Sequence, residues 1–216
     1  MEIYWISGSA PAWRVLYMLE EKSAGYESRI LETSKKEQKQ DWFLNLNPRG
    51  QVPLLCDGET TVSESVAIMH YLERRFPEPA LFGTSASEAA MIEQSVQETL
   101  AYVDKAISAF VQPVFRNKAD DIREKLPEIA ESIHAELGST ERALEKHEWL
   151  AGAFSAADIT LLPTIQRLKR ATQKAPELAD DSGLRSMIQT YPRIAAWSKA
   201  MESRPAFEAS FPPHWR

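Results

Sequence analysis

The chain is poor in the residues that carry covalent cross-links and metals. It holds a single cysteine, Cys56, among 216 residues, so an internal disulfide framework is excluded and a reducing, cytoplasmic setting is expected. Its four histidines, His70, His134, His147 and His214, stand far apart and make no ligand spacing, so no metal is expected. No apolar run approaches the ~18 residues that a membrane span needs. The start, Met1-Glu2-Ile3-Tyr4-Trp5, lacks the basic n-region of a signal peptide. Basic residues are in deficit throughout, with 12 acidic against 9 basic residues up to residue 80 and 19 against 16 after it, so no nucleic-acid partner is expected. Repeats and low-complexity segments are lacking too. What remains, 44% hydrophobic and 26% charged residues, suits a soluble globular chain of one large domain or two smaller ones.

The first 76 residues alternate strand and helix. Ile3-Tyr4-Trp5-Ile6 is a short apolar run ended by Ser7-Gly8. Pro11 suits the first turn of a helix reaching about Ser23, with an apolar face from Val15, Leu16, Met18 and Leu19. Tyr26 to Glu32 reads as a strand and Asp41 to Leu46 as a short helix closed by Asn47-Pro48. A proline opens the next strand, at Val52-Pro53-Leu54-Leu55, a position where its missing N–H is tolerated. Asp57-Gly58 then turns into Glu59-Thr60-Thr61-Val62, and Glu64-Ser65 leads a helix to Phe76. From Ser87 onward the pattern is helical. Leu100, Val103, Ile107, Phe110 and Val114 recur at three- and four-residue steps. A long helix over about Ala119 to Glu145 has a fault at Leu126-Pro127. Ser155 and Asp158 form a capping box flanked by Phe154 and Ile159, assigned to folding.

The βαβ–α–ββα order is thioredoxin-like, and the expected architecture is α/β followed by all-α. Residues 1–78 would form the thioredoxin-like domain, 79–86 a linker, and 87–216 the helical domain. This whole layout, with Gly50-Gln51-Val52-Pro53-Leu54-Leu55 followed eleven residues after Pro53 by Glu64-Ser65, resembles the cytosolic glutathione transferases of the serine type. Gly8-Ser9-Ala10-Pro11 is similar to the delta class, and Trp13-Arg14-Val15 to the zeta class. Trp149-Leu150-Ala151-Gly152 before the capping box resembles the family's helical domain.

The resemblance implies a site. Val52, before a cis Pro53, would pair through its backbone with the cysteinyl part of glutathione, and Glu64 and Ser65 would hold the γ-glutamyl end. Gln38, Lys39 and Gln51 would reach the glycyl side, with Lys35 and Lys36 also in range of that role. Ser9 would be the thiol-activating donor; its plain alternative is a helix cap. Ala12 stands where several classes carry a second serine or a cysteine, which argues against a cysteine mechanism. Ala12, Tyr102, Phe110 and Phe115 would offer an apolar wall to the second substrate, although each aromatic also fits ordinary core. The aromatic tail from Arg204 to Trp215 is expected to pack across the helical domain.

The chemistry asks for a hydroxyl. A cysteine thiol has a pKa near 8.5, so little of it is thiolate at pH 7. A hydrogen bond to a charged group is worth roughly 1.5–3 kcal/mol, or about one to two pKa units. The helix start adds field of the same sign. The resemblance therefore implies transfer of glutathione thiolate to a hydrophobic electrophile, with glutathione as co-substrate, and a homodimer. Rival readings on the same fold are a glutathione-dependent cis–trans isomerase of the zeta type, a glutathione-dependent peroxidase or disulfide reductase, and a non-catalytic scaffold.

Overall fold

The computed structural model describes residues 1–216, the side chain of Ile188 excepted. Two compact units form: Met1–Phe82 together with Arg204–Arg216, and Gly83–Ser203.

The first unit is built on a four-stranded sheet in the order β2-β1-β3-β4, from β1 (Glu2–Trp5), β2 (Glu27–Ile30), β3 (Leu54–Asp57) and β4 (Thr60–Ser63). β1 pairs parallel with β2 and antiparallel with β3, and β3 pairs antiparallel with β4. The parallel pair needs a crossover, supplied by α1 (Ala10–Glu21). Nine of the twelve α1 residues are buried, because this helix packs against α3 (Ser65–Arg75) and also against α11 (Pro205–Ser210) from the tail. The short α2 (Asp41–Leu46) sends Phe43 into a cluster with Leu31 and Leu54, on which Tyr4, Ile6, Val52 and Cys56 pack. Cys56 is half-buried on β3 beside Thr61, and burial pushes its thiol up, away from thiolate character. Lys22, buried at the end of α1, meets Glu73 at 2.8 Å and donates to the carbonyls of Phe76 and Pro79.

The second unit is helical. α4 (Ala86–Glu98) opens on a Ser85/Glu88 capping box, passes through a π-helical turn at Thr99–Val103 and continues as α5 (Asp104–Phe115). The fault expected near Leu126-Pro127 is a change of helix type. Ala119–Lys125 is 3₁₀, and α6 (Leu126–Ala143) begins there with Pro127 in its first turn, where no N–H is needed. α7 (Ala156–Lys174) runs through the core, followed by α8 (Pro176–Asp181), α9 (Met187–Thr190) and α10 (Pro192–Glu202).

The cap of α7 holds more than its own helix. Both halves of the Ser155/Asp158 box are made. Asp158 Oδ1 also accepts from the Leu150 N–H at 3.1 Å and the Trp197 indole at 2.8 Å, tying the Trp149–Gly152 turn and α10 to the helix start. Burial raises its carboxyl to about 6, against the donors' opposing pull.

The tail departs from expectation. Residues 204–216 fold with the first unit and dock on α1, where Trp13 packs against Phe207, Phe211 and Trp215. The reason is the indole of Trp13, an apolar surface with one donor, which finds aromatic partners and the Ser210 hydroxyl at 2.9 Å.

Candidate active site

Strand register decides which segments share a neighbourhood. Trp5 lies beside Ile30, Tyr4 opposite Leu54, and Leu54 opposite Ser63. The segments that follow β1 and β2, precede β3 and follow β4 therefore all emerge at one end of the sheet. These are the stretches holding Ser9, then Gln38 and Lys39, then Gln51, Val52 and Pro53, then Glu64 and Ser65.

Ser9 is the N-cap of α1, in extended geometry, and its Oγ accepts from the Ala12 N–H at a long 3.4 Å. Its own N–H closes a turn on Ile6 O at 3.1 Å, and its carbonyl receives the Trp13 N–H. A hydroxyl has one donor and two lone pairs, so capping uses an acceptor site and leaves the proton for another group. The two readings of Ser9 are thus compatible. Arg14 is buried among the residues of α1 and belongs to its packing.

The Val52–Pro53 bond is cis, as is Glu78–Pro79, which sequence reasoning did not anticipate. Val52 lies two residues before β3, outside the registered ladder, so its peptide groups face no partner strand. Gln51 is exposed, and its carbonyl is held by the buried Asn47 side chain at 2.8 Å. Gly50 shows why the neighbouring loop sits so close. At φ +58° it has no room for a Cβ, which would stand 2.6 Å from the Gln38 carbonyl and 2.8 Å from Lys39 Nζ. Lys39 Nζ donates to Arg49 O at 3.1 Å, and Gln38 Oε1 is buried with no hydrogen-bond partner among the described residues. Lys35 is instead paired with Glu32.

Glu64 is exposed and has φ +70° with ψ 120°. A non-glycine residue there costs of order 1–3 kcal/mol, and such outliers concentrate at ligand sites. Ser65, buried, opens α3, whose first-turn N–H groups suit a carboxylate.

The second-substrate residues separate. Ala12 and Phe110 are fully buried in the cores of their own units and present no wall. Their helical positions face inward, a choice that spacing alone could not make. Phe115 is half-buried under Lys174 Nζ, 5.8 Å from its ring centroid. Tyr102 is 59% exposed and lines a recess of about 280 Å³ with Glu98 and Glu136. Sequence reasoning missed Asn47 and the tail residue His214. Both were visible only as a polar residue before a proline and as part of an aromatic terminus.

Among the described residues no group of His, Cys, Asp and Glu could hold a metal ion, and no helix is long and apolar enough to cross a membrane.

Residues 1–74 match the model of the glutathione S-transferase N-terminal domain, and residues 89–200 that of the C-terminal domain. Glutathione S-transferase A of Pleuronectes platessa is 31% identical over 221 residues, covering 100% of this chain and 92% of the relative. A zeta-class glutathione S-transferase of Euphorbia esula is 29% identical over 165 residues, covering 73% of this chain and 68% of that one. The crystal structure of a glutathione S-transferase from the Antarctic clam Laternula elliptica superposes with a TM-score of 0.84 at 34% identity, covering 99% of this chain and 93% of that chain. With both domains matched in order along the chain, the protein belongs to the glutathione S-transferase family and is an enzyme of that family, using glutathione as co-substrate.

Proposed function

We propose that the protein transfers glutathione thiolate to an electrophilic carbon of apolar small molecules, with Ser9 as the hydrogen-bond donor that favours the thiolate. The observation that carries this reading is the state of Ser9. Its hydroxyl caps α1 as an acceptor, at the sheet end where Val52, Glu64 and Ser65 also emerge, a role that does not use its proton. In this reading the Val52 peptide pairs with the cysteinyl part, and Glu64 and Ser65 take the γ-glutamyl end. Lys39 serves the glycyl carboxylate, with Gln38 and Gln51 beside it. Ser9 donates and is not itself a nucleophile; the α1 start adds field of the same sign. Exposed Tyr102 and half-buried Phe115 are the remaining candidates for contact with the electrophile. A homodimer in the cytoplasm completes the reading, on the strength of the family alone.

The isomerase alternative drew on Trp13-Arg14-Val15. These side chains are buried in helix packing, with Trp13 committed to the tail, so they lend that alternative no substrate contact. The deciding experiment titrates the protein with glutathione and follows thiolate absorbance against pH, then profiles aryl halides, conjugated dienoic acids and peroxides. A bound thiol that ionises well below the free value, with turnover of aryl halides, supports transfer. Binding without a shift removes Ser9 activation, and turnover of dienoic acids alone would favour the isomerase.

A further inference from the structure

The loop that carries Ser9 is held from outside by the end of the chain. Ser7 and Gly8 form the middle of the turn closed between Ile6 O and Ser9 N–H, with Gly8 at φ +81°. Ser7 Oγ lies 2.6 Å from His214 Nδ1. The histidine ring covers the face of Gly8 so closely that a Cβ there would stand 2.7 Å from His214 Cε1 and 3.4 Å from Trp215 Nε1. His214 owes its place to anchors further along the same unit. The Arg204 guanidinium grips both carboxylate oxygens of Glu21 at 2.7 Å. Trp13 holds Ser210 and the rings of Phe207, Phe211 and Trp215.

We propose that His214 is a positioning residue for thiol activation, acting through Ser7 on the turn that aims the Ser9 hydroxyl. This rests on the role given to Ser9 above. With the imidazole neutral and its proton on Nε2, the Ser7 hydroxyl donates to Nδ1. Two things follow. The turn between Ile6 and Ser9 is pinned at its second residue, which narrows the directions open to Ser9. The Ser7 proton is also committed to the imidazole, so of two candidate serines Ser7 is made an accessory and Ser9 the donor. The tail thereby reports its own docking to the reactive loop.

The test uses the full chain with His214→Ala, His214→Asn, Ser7→Ala and the Ser7→Ala/His214→Ala double variant. Each is read by bound-thiolate absorbance at pH 7 and by kcat and KM with an aryl halide, with Tm confirming the fold. His214→Ala is expected to lower the thiolate fraction and kcat roughly three- to tenfold with KM for glutathione nearly unchanged. Ser7→Ala should match it, the double variant should be no worse than either single one, and asparagine, which can accept at the Nδ1 position, should restore most of the loss. Wild-type thiolate fraction and kcat in His214→Ala, or additive losses in the double variant, would overturn the role of His214 while leaving Ser9 in place. No bound thiolate in the unsubstituted protein would overturn the Ser9 reading itself, and this inference with it.

Discussion

Two serines cap two helices in this protein, and they are used differently. Ser155 at the start of α7 is buried, and its box partner Asp158 sits three residues on; the carboxylate is surrounded by donors from Leu150, Ser155 and Trp197. Ser9 at the start of α1 has Ala12 at the corresponding position, so nothing returns its cap, and the hydroxyl stands half-exposed at the end of the sheet. A cap closed by a carboxylate is spent on stability. One left open by an alanine keeps a proton to give. The same residue type in the same backbone role thus serves folding in one unit and is suited to chemistry in the other.

The strongest way to break the closed cap is Asp158→Ala. It would leave several buried donors unmatched and should cost about 3–5 kcal/mol, lowering Tm by about 10 °C in a thermal melt. The same carboxylate predicts a pH effect. Its folded pKa, near 6, lies above the ordinary 3.8. The fold therefore holds the proton more tightly than the unfolded chain does. That contribution is complete below about 3.8 and is lost as pH rises through about 6. The stability difference between the wild type and Asp158→Asn, measured by denaturant titration, should accordingly widen as pH falls from 7 toward 4; a constant gap would assign the carboxylate no titration in this range.

Next comes the crossed pair that separates the two serines. Ser9→Ala should lower conjugation roughly ten- to a hundredfold while costing only about 0.5 kcal/mol of stability, since its capping bond is long. Ser155→Ala should do the reverse, costing about 1–2 kcal/mol with the bound-thiol pKa unmoved. Equal effects of both on melting and on turnover would erase the distinction. The smallest expected effect is that of Lys39→Ala, a rise of about two- to fivefold in KM for glutathione at constant kcat, because an exposed charge is screened. An unchanged KM would free Lys39 from the glycyl carboxylate.

Much of the fold was legible because its signals are local. Pro53 at a strand opening, Asp57-Gly58 in a hairpin and the Ser155–Asp158 box each depend on neighbours a few residues away. The helix over Asp41–Leu46 begins and ends where Asn47-Pro48 and the apolar pattern put it. The second-substrate wall was not legible. Phe110 lies on the apolar face expected from three- and four-residue spacing and is fully buried, whereas Tyr102, outside that series and within the π-helical turn at Thr99–Val103, is largely exposed. The tail was recognised as too aromatic to be free, but its partner was misplaced. Trp13 looked like a class signature and is in fact the surface on which the tail docks.

The sequence by itself determined the order of strands and helices, the capping of α7 and the presence of a serine, a proline and a Glu-Ser pair at the starts of α1, β3 and α3. These follow from backbone rules of short range: donors lost at proline, orphan N–H groups at helix starts, positive φ at glycine. Tertiary structure alone decided that four chain segments meet at one end of the sheet, that Ser9 Oγ accepts from Ala12 N–H while Ser155 Oγ also donates to Asp158 Oδ2, and that His214 reaches Ser7 across 207 positions of sequence. Register and docking are set by burial of apolar surface shared between distant segments, and no window along the chain contains both partners.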